Sequence, residues 1–84
     1  MLKISISKNA IKFLQSLQDK DYLKIRDKIK NLATDPRPSG CTKLKGVNSY
    51  RIKYRKIRIL YTINDESNNV IIYNISYRKE AYKK

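Results

Sequence analysis

The sequence predicts an α+β domain in the order β-α-α-β-β-β, with a helical hairpin packed on one face of a small, mainly antiparallel four-stranded sheet. Three observations predict it. Apolar and polar residues alternate from Met1 to Ser7, a helical spacing of apolar residues runs from Ala10 to Ala33, and the period returns to two from Tyr50 onward. A chain of 84 residues has room for one domain, residues 1–84, and none for a second.

Leu2, Ile4 and Ile6 alternate with Lys3, Ser5 and Ser7, the pattern of a strand buried on one side. Ser7 is placed to cap the helix behind it, whose apolar stripe is Ala10, Phe13, Leu14 and Leu17. The polar stretch Asp19–Asp21 is expected to break the chain and Asp21 to cap a second helix, with Tyr22, Ile25, Ile29, Leu32 and Ala33 as its buried stripe. Asp35-Pro36-Arg37-Pro38 stops that helix, because a residue before proline is pushed out of the α region.

Ser39 to Ser49 reads as a loop with Gly40 and Gly46 as turn residues. In the next strand Tyr50, Ile52 and Tyr54 point one way, and Arg51, Lys53 and Arg55 the other. Past Lys56, Ile57, Ile59, Tyr61 and Ile63 form the apolar face of a strand, opposite Arg58, Leu60 and Thr62. Asn64–Asn69 is a polar turn. The last strand, Val70–Arg78, is expected to turn Ile71, Tyr73, Ile75 and Tyr77 to the core and Asn74, Ser76 and Arg78 away from it.

Composition narrows the function. Twenty Lys and Arg against seven Asp and Glu give a formal charge of +13. Self-repulsion of that size destabilises a small domain and points to a polyanion or an acidic protein as partner. Cys41 is the only cysteine and there is no histidine, so neither an internal disulfide, nor a zinc site, nor a Ser-His or Cys-His nucleophile is expected, and no cofactor is implied. Cys41 itself reads as a small buried or loop residue. No apolar run is long enough for a membrane span or a leader peptide, so the expected compartment is the cytoplasm.

The middle hairpin is the most informative segment. With Arg55 and Lys56 as the turn, Tyr54 pairs with Ile57, Lys53 with Arg58, Ile52 with Ile59 and Arg51 with Leu60, the register that keeps every apolar residue on one side. It sets Lys53 directly across from Arg58, an arrangement that destabilises a sheet by a few tenths of a kcal/mol up to about 1. A face of Arg51, Lys53, Arg58 and Arg78 with Tyr82 nearby suits a bent phosphodiester: arginine forks hold non-bridging oxygens, lysine supplies a point charge, and tyrosine stacks on a base or moves a proton. Lys43, Lys45, Arg55 and Lys56 are expected to add RNA contacts around it.

Asp35-Pro36-Arg37-Pro38, Lys43-Leu44-Lys45-Gly46, Tyr50-Arg51-Ile52-Lys53, Arg58-Ile59-Leu60-Tyr61 and Tyr77-Arg78-Lys79-Glu80-Ala81-Tyr82, in this order and spacing, resemble the RelE/ParE toxin superfamily over nearly the whole chain. The resemblance implies a toxin neutralised by a co-expressed acidic antitoxin. Its RelE branch cuts mRNA in the ribosomal A site, and its ParE branch inhibits DNA gyrase. The RelE-like catalytic positions fall on Arg51, Lys53, Arg58, Arg78 and Tyr82. Three departures stand out: Arg51 is often lysine in relatives, Tyr77 lies where many carry histidine, and Arg55-Lys56 stands in place of the usual Gly-containing hairpin turn. The reaction this implies is metal-free RNA cleavage by the ribose 2′-OH, with Lys53 or Tyr82 taking the proton, Arg58 and Arg78 stabilising the phosphorane and Arg51 holding the backbone in line. A gyrase inhibitor without nuclease activity and a small structural RNA-binding protein are the rival readings; retention of all five residues argues against the first, and the family layout against the second.

Overall fold

The computed structural model of the chain describes residues 1–44 and 48–77. Its elements are β1 (Lys3–Ile6), α1 (Lys8–Gln15), α2 (Asp19–Asn31), β2 (Thr42–Lys43), β3 (Ser49–Tyr54), β4 (Ile57–Asn64) and β5 (Asn69–Tyr77). They form one sheet in the order β1-β5-β4-β3-β2. The β1–β5 pair is parallel and the other three are antiparallel. A parallel pair needs a long crossover, and here it contains both helices.

The sheet has five strands where the sequence predicted four. The extra one, β2, is two residues long and lies in the segment expected to be loop, where Thr42 pairs with Arg51 and Lys43 with Tyr50. A strand that short shows no alternation to read.

Ser7 caps α1 as expected: its backbone is extended and its Oγ accepts from the Ala10 amide at 3.2 Å. The second cap differs. α2 begins at Asp19 with Gln18 at the cap position and no side-chain bond there. Asp19 and Asp21 lie in its first turn, where carboxylates favour the positive end of the helix dipole. Asp21 Oδ1 accepts instead from the Tyr54 hydroxyl at 3.2 Å, which ties α2 to β3.

The helices cover one face of the sheet. Ala10, Leu14, Ile25, Ile29 and Leu32 pack there against Ile52, Ile57, Ile59, Tyr61, Ile63, Val70, Ile72 and Ile75. Burial of each large aliphatic side chain contributes roughly 1.5–3 kcal/mol. The Pro-rich loop after α2 is fastened from below: the fully buried Tyr61 donates its hydroxyl to the Pro36 carbonyl at 2.8 Å and stacks on Tyr50, with ring centroids 5.7 Å apart. Arg37 caps the stack, donating from Nε to the Tyr50 hydroxyl at 3.1 Å and reaching Asp65 at 3.3 Å.

The last strand departs from its predicted phase. Val70 and Ile72 are buried in the core, whereas Ile71 is half-buried and Tyr73 is 40% exposed. The cause is a register shift: Tyr61 pairs with Ile72 but Leu60 pairs with Asn74, so Tyr73 is the extra residue of a β-bulge. Beyond it the expected phase resumes with Ile75 buried, and Tyr77 packs edge-on to Phe13 with ring centroids 5.0 Å apart. Ser7 fixes the bulge from the neighbouring strand, its amide donating to the Ile72 carbonyl and its Oγ to the Tyr73 carbonyl at 3.3 Å. Among the described residues no helix is long and apolar enough to cross a membrane.

Candidate nucleic-acid interface

The predicted hairpin register holds at every pair, from Tyr54 opposite Ile57 to Arg51 opposite Leu60. Its two-residue turn is tight, and Arg55 adopts φ 56°, the left-handed region that favours glycine. The Arg55 guanidinium lies over the Tyr54 ring at 5.6 Å.

On the sheet face away from the helices two rungs carry the charge. One runs Lys53–Arg58–Ser76 across β3, β4 and β5, and the next runs Arg51–Leu60–Asn74. Arg51, Lys53 and Arg58 therefore converge, and no acidic residue sits on either rung. The ion pairs Arg26–Asp27 and Arg37–Asp65 involve neither Arg51 nor Lys53. Arg51 and Arg58 are half-buried with their Nε atoms shielded from solvent, and Arg51 Nε has no hydrogen-bond partner among the described residues. Lys53 is exposed. A buried guanidinium donor left open in this way is costly, and an anion seated on the face would satisfy it.

The other predicted residues are distributed around this face. Arg55 and Lys56 are exposed at the hairpin tip. Lys43 pairs with Tyr50, so it points to the helix side of the sheet edge and away from Arg51. Lys45, Arg78 and Tyr82 lie outside the described residues. Beside Lys53 a groove of ≈ 270 Å³ opens between α2 and the loop at Pro38–Gly40, bringing Lys28 to the same edge.

One residue on this face was missed by the sequence reading. The bulge turns Tyr73 to the cationic side, where its hydroxyl meets Ser49 Oγ at 2.6 Å. A signal was present: Val70 and Ile72 demand one alternation phase and Ile75 and Tyr77 the other, and only an extra residue between them reconciles both.

The chain has counterparts among known proteins. The model of the family described as the ParE toxin of type II toxin–antitoxin systems matches residues 4–82. A putative toxin RelE1 of Methanocaldococcus jannaschii is 32% identical over 84 residues, spanning 95% of this chain and 93% of the relative. The chain belongs to the RelE/ParE toxin superfamily. Within it the similarity runs to RelE-like members. The archaeal RelE–RelB complex of Pyrococcus horikoshii superposes with a TM-score of 0.84 at 25% identity, covering 92% of this toxin and 94% of that chain. The intact Escherichia coli RelBE toxin–antitoxin complex matches in fold with a TM-score of 0.80 at 22% identity, covering 92% and 96%.

Proposed function

We propose that this toxin is a ribosome-dependent mRNA endonuclease that arrests translation, and that Arg51, Lys53 and Arg58 with Arg78 and Tyr82 form its site. The observation that carries the reading is the convergence of three cations on two adjacent rungs, with Lys53 directly opposite Arg58 at a cost in sheet stability. Sites retained against stability are most readily explained by function.

In the proposed step the ribose 2′-oxygen attacks the adjacent phosphorus while its proton passes to Lys53 or Tyr82. The bond from phosphorus to the 5′-oxygen breaks, that oxygen takes up a proton, and the products are a 2′,3′-cyclic phosphate and a free 5′-hydroxyl. Arg58 and Arg78 hold the charge of the pentacoordinate phosphate, and Arg51 holds the backbone in line. Electrostatic stabilisation of this kind contributes about 10²–10³ per donor, and a positioned base roughly 10²–10⁴. RNA contacts at Lys45, Arg55 and Lys56 surround the site, whereas Lys43, on the helix side of the sheet edge, lies away from it.

The partner in the cell is a cognate acidic antitoxin, as the relatives crystallised with RelB are partnered. A groove of ≈ 250 Å³ lined by Ile4, Ile6, Leu14, Tyr22 and Ile29 and rimmed by Arg26 and Lys30 suits an amphipathic acidic helix. The setting is cytoplasmic, where ribosomes and messages are.

The deciding experiment is primer extension on a translated message after induction of the toxin. New 5′ ends within codons are expected, and an intact message overturns the reading. Because the matching family model is described for ParE toxins, a second reading is inhibition of DNA gyrase by contact alone. Pulse labelling separates the two: loss of methionine incorporation before loss of thymidine incorporation supports the nuclease, and the reverse order supports gyrase.

A further inference from the structure

Tyr73 is the one aromatic side chain that the bulge delivers to the cationic face, and its surroundings there are unlike those of the core tyrosines. Its hydroxyl bonds Ser49 on β3 although Tyr73 itself is on β5, so the side chain crosses the full width of β4. A phenol ring stretched across a strand in this way lies along the sheet face, and Tyr73 remains 40% exposed. Ser49 at the far end is 2% exposed, and the half-buried Leu60, Thr62 and Ile71 lie on the same face. Asn74, the next residue, shares a rung with Arg51, and Ser49 lies two residues before Arg51 on β3. Two residues of strand span about 7 Å, within reach of one extended nucleotide.

We propose that Tyr73, held flat by Ser49, is a stacking platform for the nucleobase next to the phosphate seated on Arg51 and Arg58. The inference rests on the reading of this face as an RNA site. Base-on-aromatic stacking tolerates any base, and its loss on truncation weakens binding by about fivefold to a hundredfold. It adds no charge contact, so its contribution is independent of salt, whereas each phosphate contact adds about 0.7 to the log–log salt slope.

That difference supplies the test. The probe is a short single-stranded RNA with 2′-O-methyl riboses, which binds but cannot be cut. Tyr73→Leu is expected to weaken binding about tenfold with the parent's salt slope, Tyr73→Phe to stay within about twofold, and Arg58→Ala to flatten the slope by about 0.7. The chain has no tryptophan, so Tyr73→Trp gives a single-residue fluorescence probe, expected to be quenched by RNA. A parent that binds with a steep salt slope while Tyr73→Leu matches its affinity, or while Tyr73→Trp is not quenched, overturns the stacking role and leaves the interface standing. A parent that does not bind overturns the interface and the stacking role together. Thermal melts of each variant separate lost contact from lost fold, and the fluorescence of Tyr73→Trp decides the matter if Tyr73→Leu does not fold.

Discussion

Lys53 lies directly opposite Arg58 across β3 and β4, a pair of cations where a stable sheet would place a cation and an acid. Lys53→Gln removes the repulsion without opening a cavity, because Lys53 is exposed. The variant is expected to gain a few tenths of a kcal/mol up to about 1, most at low salt where charges are least screened. Toxicity is expected to fall at least about a hundredfold. Arg58→Ala should likewise lose toxicity with its fold intact, and Lys3→Ala, on the edge strand β1 at the opposite end of the sheet, should keep it. Thermal melts beside growth curves check this; a Lys53→Gln protein that melts lower and still kills sinks the assignment.

Arg55 occupies a backbone conformation that costs a side-chain-bearing residue about 1–2 kcal/mol. Arg55→Gly removes that cost and gives back part of it through the freer unfolded chain, for a net gain of about 0.5 kcal/mol. Lys56 has no such φ, so Lys56→Gly is expected to lose about 0.5–1 kcal/mol. Opposite signs at adjacent residues, read by urea denaturation, are the expected result.

Burial pushes the Tyr61 phenol above its ordinary value of 10.0, with the Cys41 thiol beside it adding to the effect. The folded chain thus keeps this proton after the unfolded chain has lost it, so the contribution to stability is complete below about pH 10 and is lost as pH rises toward the folded value. Tyr61→Phe loses the bond to Pro36 and is expected to cost about 1 kcal/mol at neutral pH. That deficit should shrink above pH 10, since phenylalanine has no proton to lose. Paired urea titrations at the two pH values check it, and a constant deficit contradicts the role of burial.

Ser7 serves α1 and the bulge at once. Ser7→Ala is expected to cost about 1–2 kcal/mol, the upper part of the range for a lost cap, because the Tyr73 carbonyl also loses a donor. Hydrogen exchange should quicken at Ala10 and in β5 around Tyr73 while the β3 and β4 amides stay protected. Uniform quickening would show that Ser7 acts on global stability alone.

Legibility followed the length and regularity of each pattern. The β3–β4 register could be read residue by residue because a two-residue turn and an unbroken alternation leave one solution that buries Tyr50, Ile52, Ile57, Ile59, Tyr61 and Ile63 on one face. The helix stripes were equally clear. At β5 two phases compete, and strict alternation placed Tyr73 in the core when a single extra residue put it on the opposite face. The start of α2 was misjudged because an aspartate favours a cap and a first turn alike, and here Asp21 takes the second role while bonding Tyr54. β2 is too short to carry a period at all. Of the cationic face, the placement of Arg51, Lys53 and Arg58 was legible through alternation, and that of Tyr73 depended on the register shift between β4 and β5.

The parallel pairing of β1 with β5 has a consequence for the order of assembly. Lys3 meets Asn69 and Ile6 meets Ile72, so the first strand waits for nearly the last one to be made. At about 5–20 residues per second of synthesis that wait lasts several seconds, and closing so long a loop slows folding further. Until β5 arrives, α1 lacks the strand it packs on most, and the β3–β4 hairpin that bears the cations is a marginal structure by itself. A chain made only as far as β4 carries Arg51, Lys53 and Arg58 without the finished sheet that aims them.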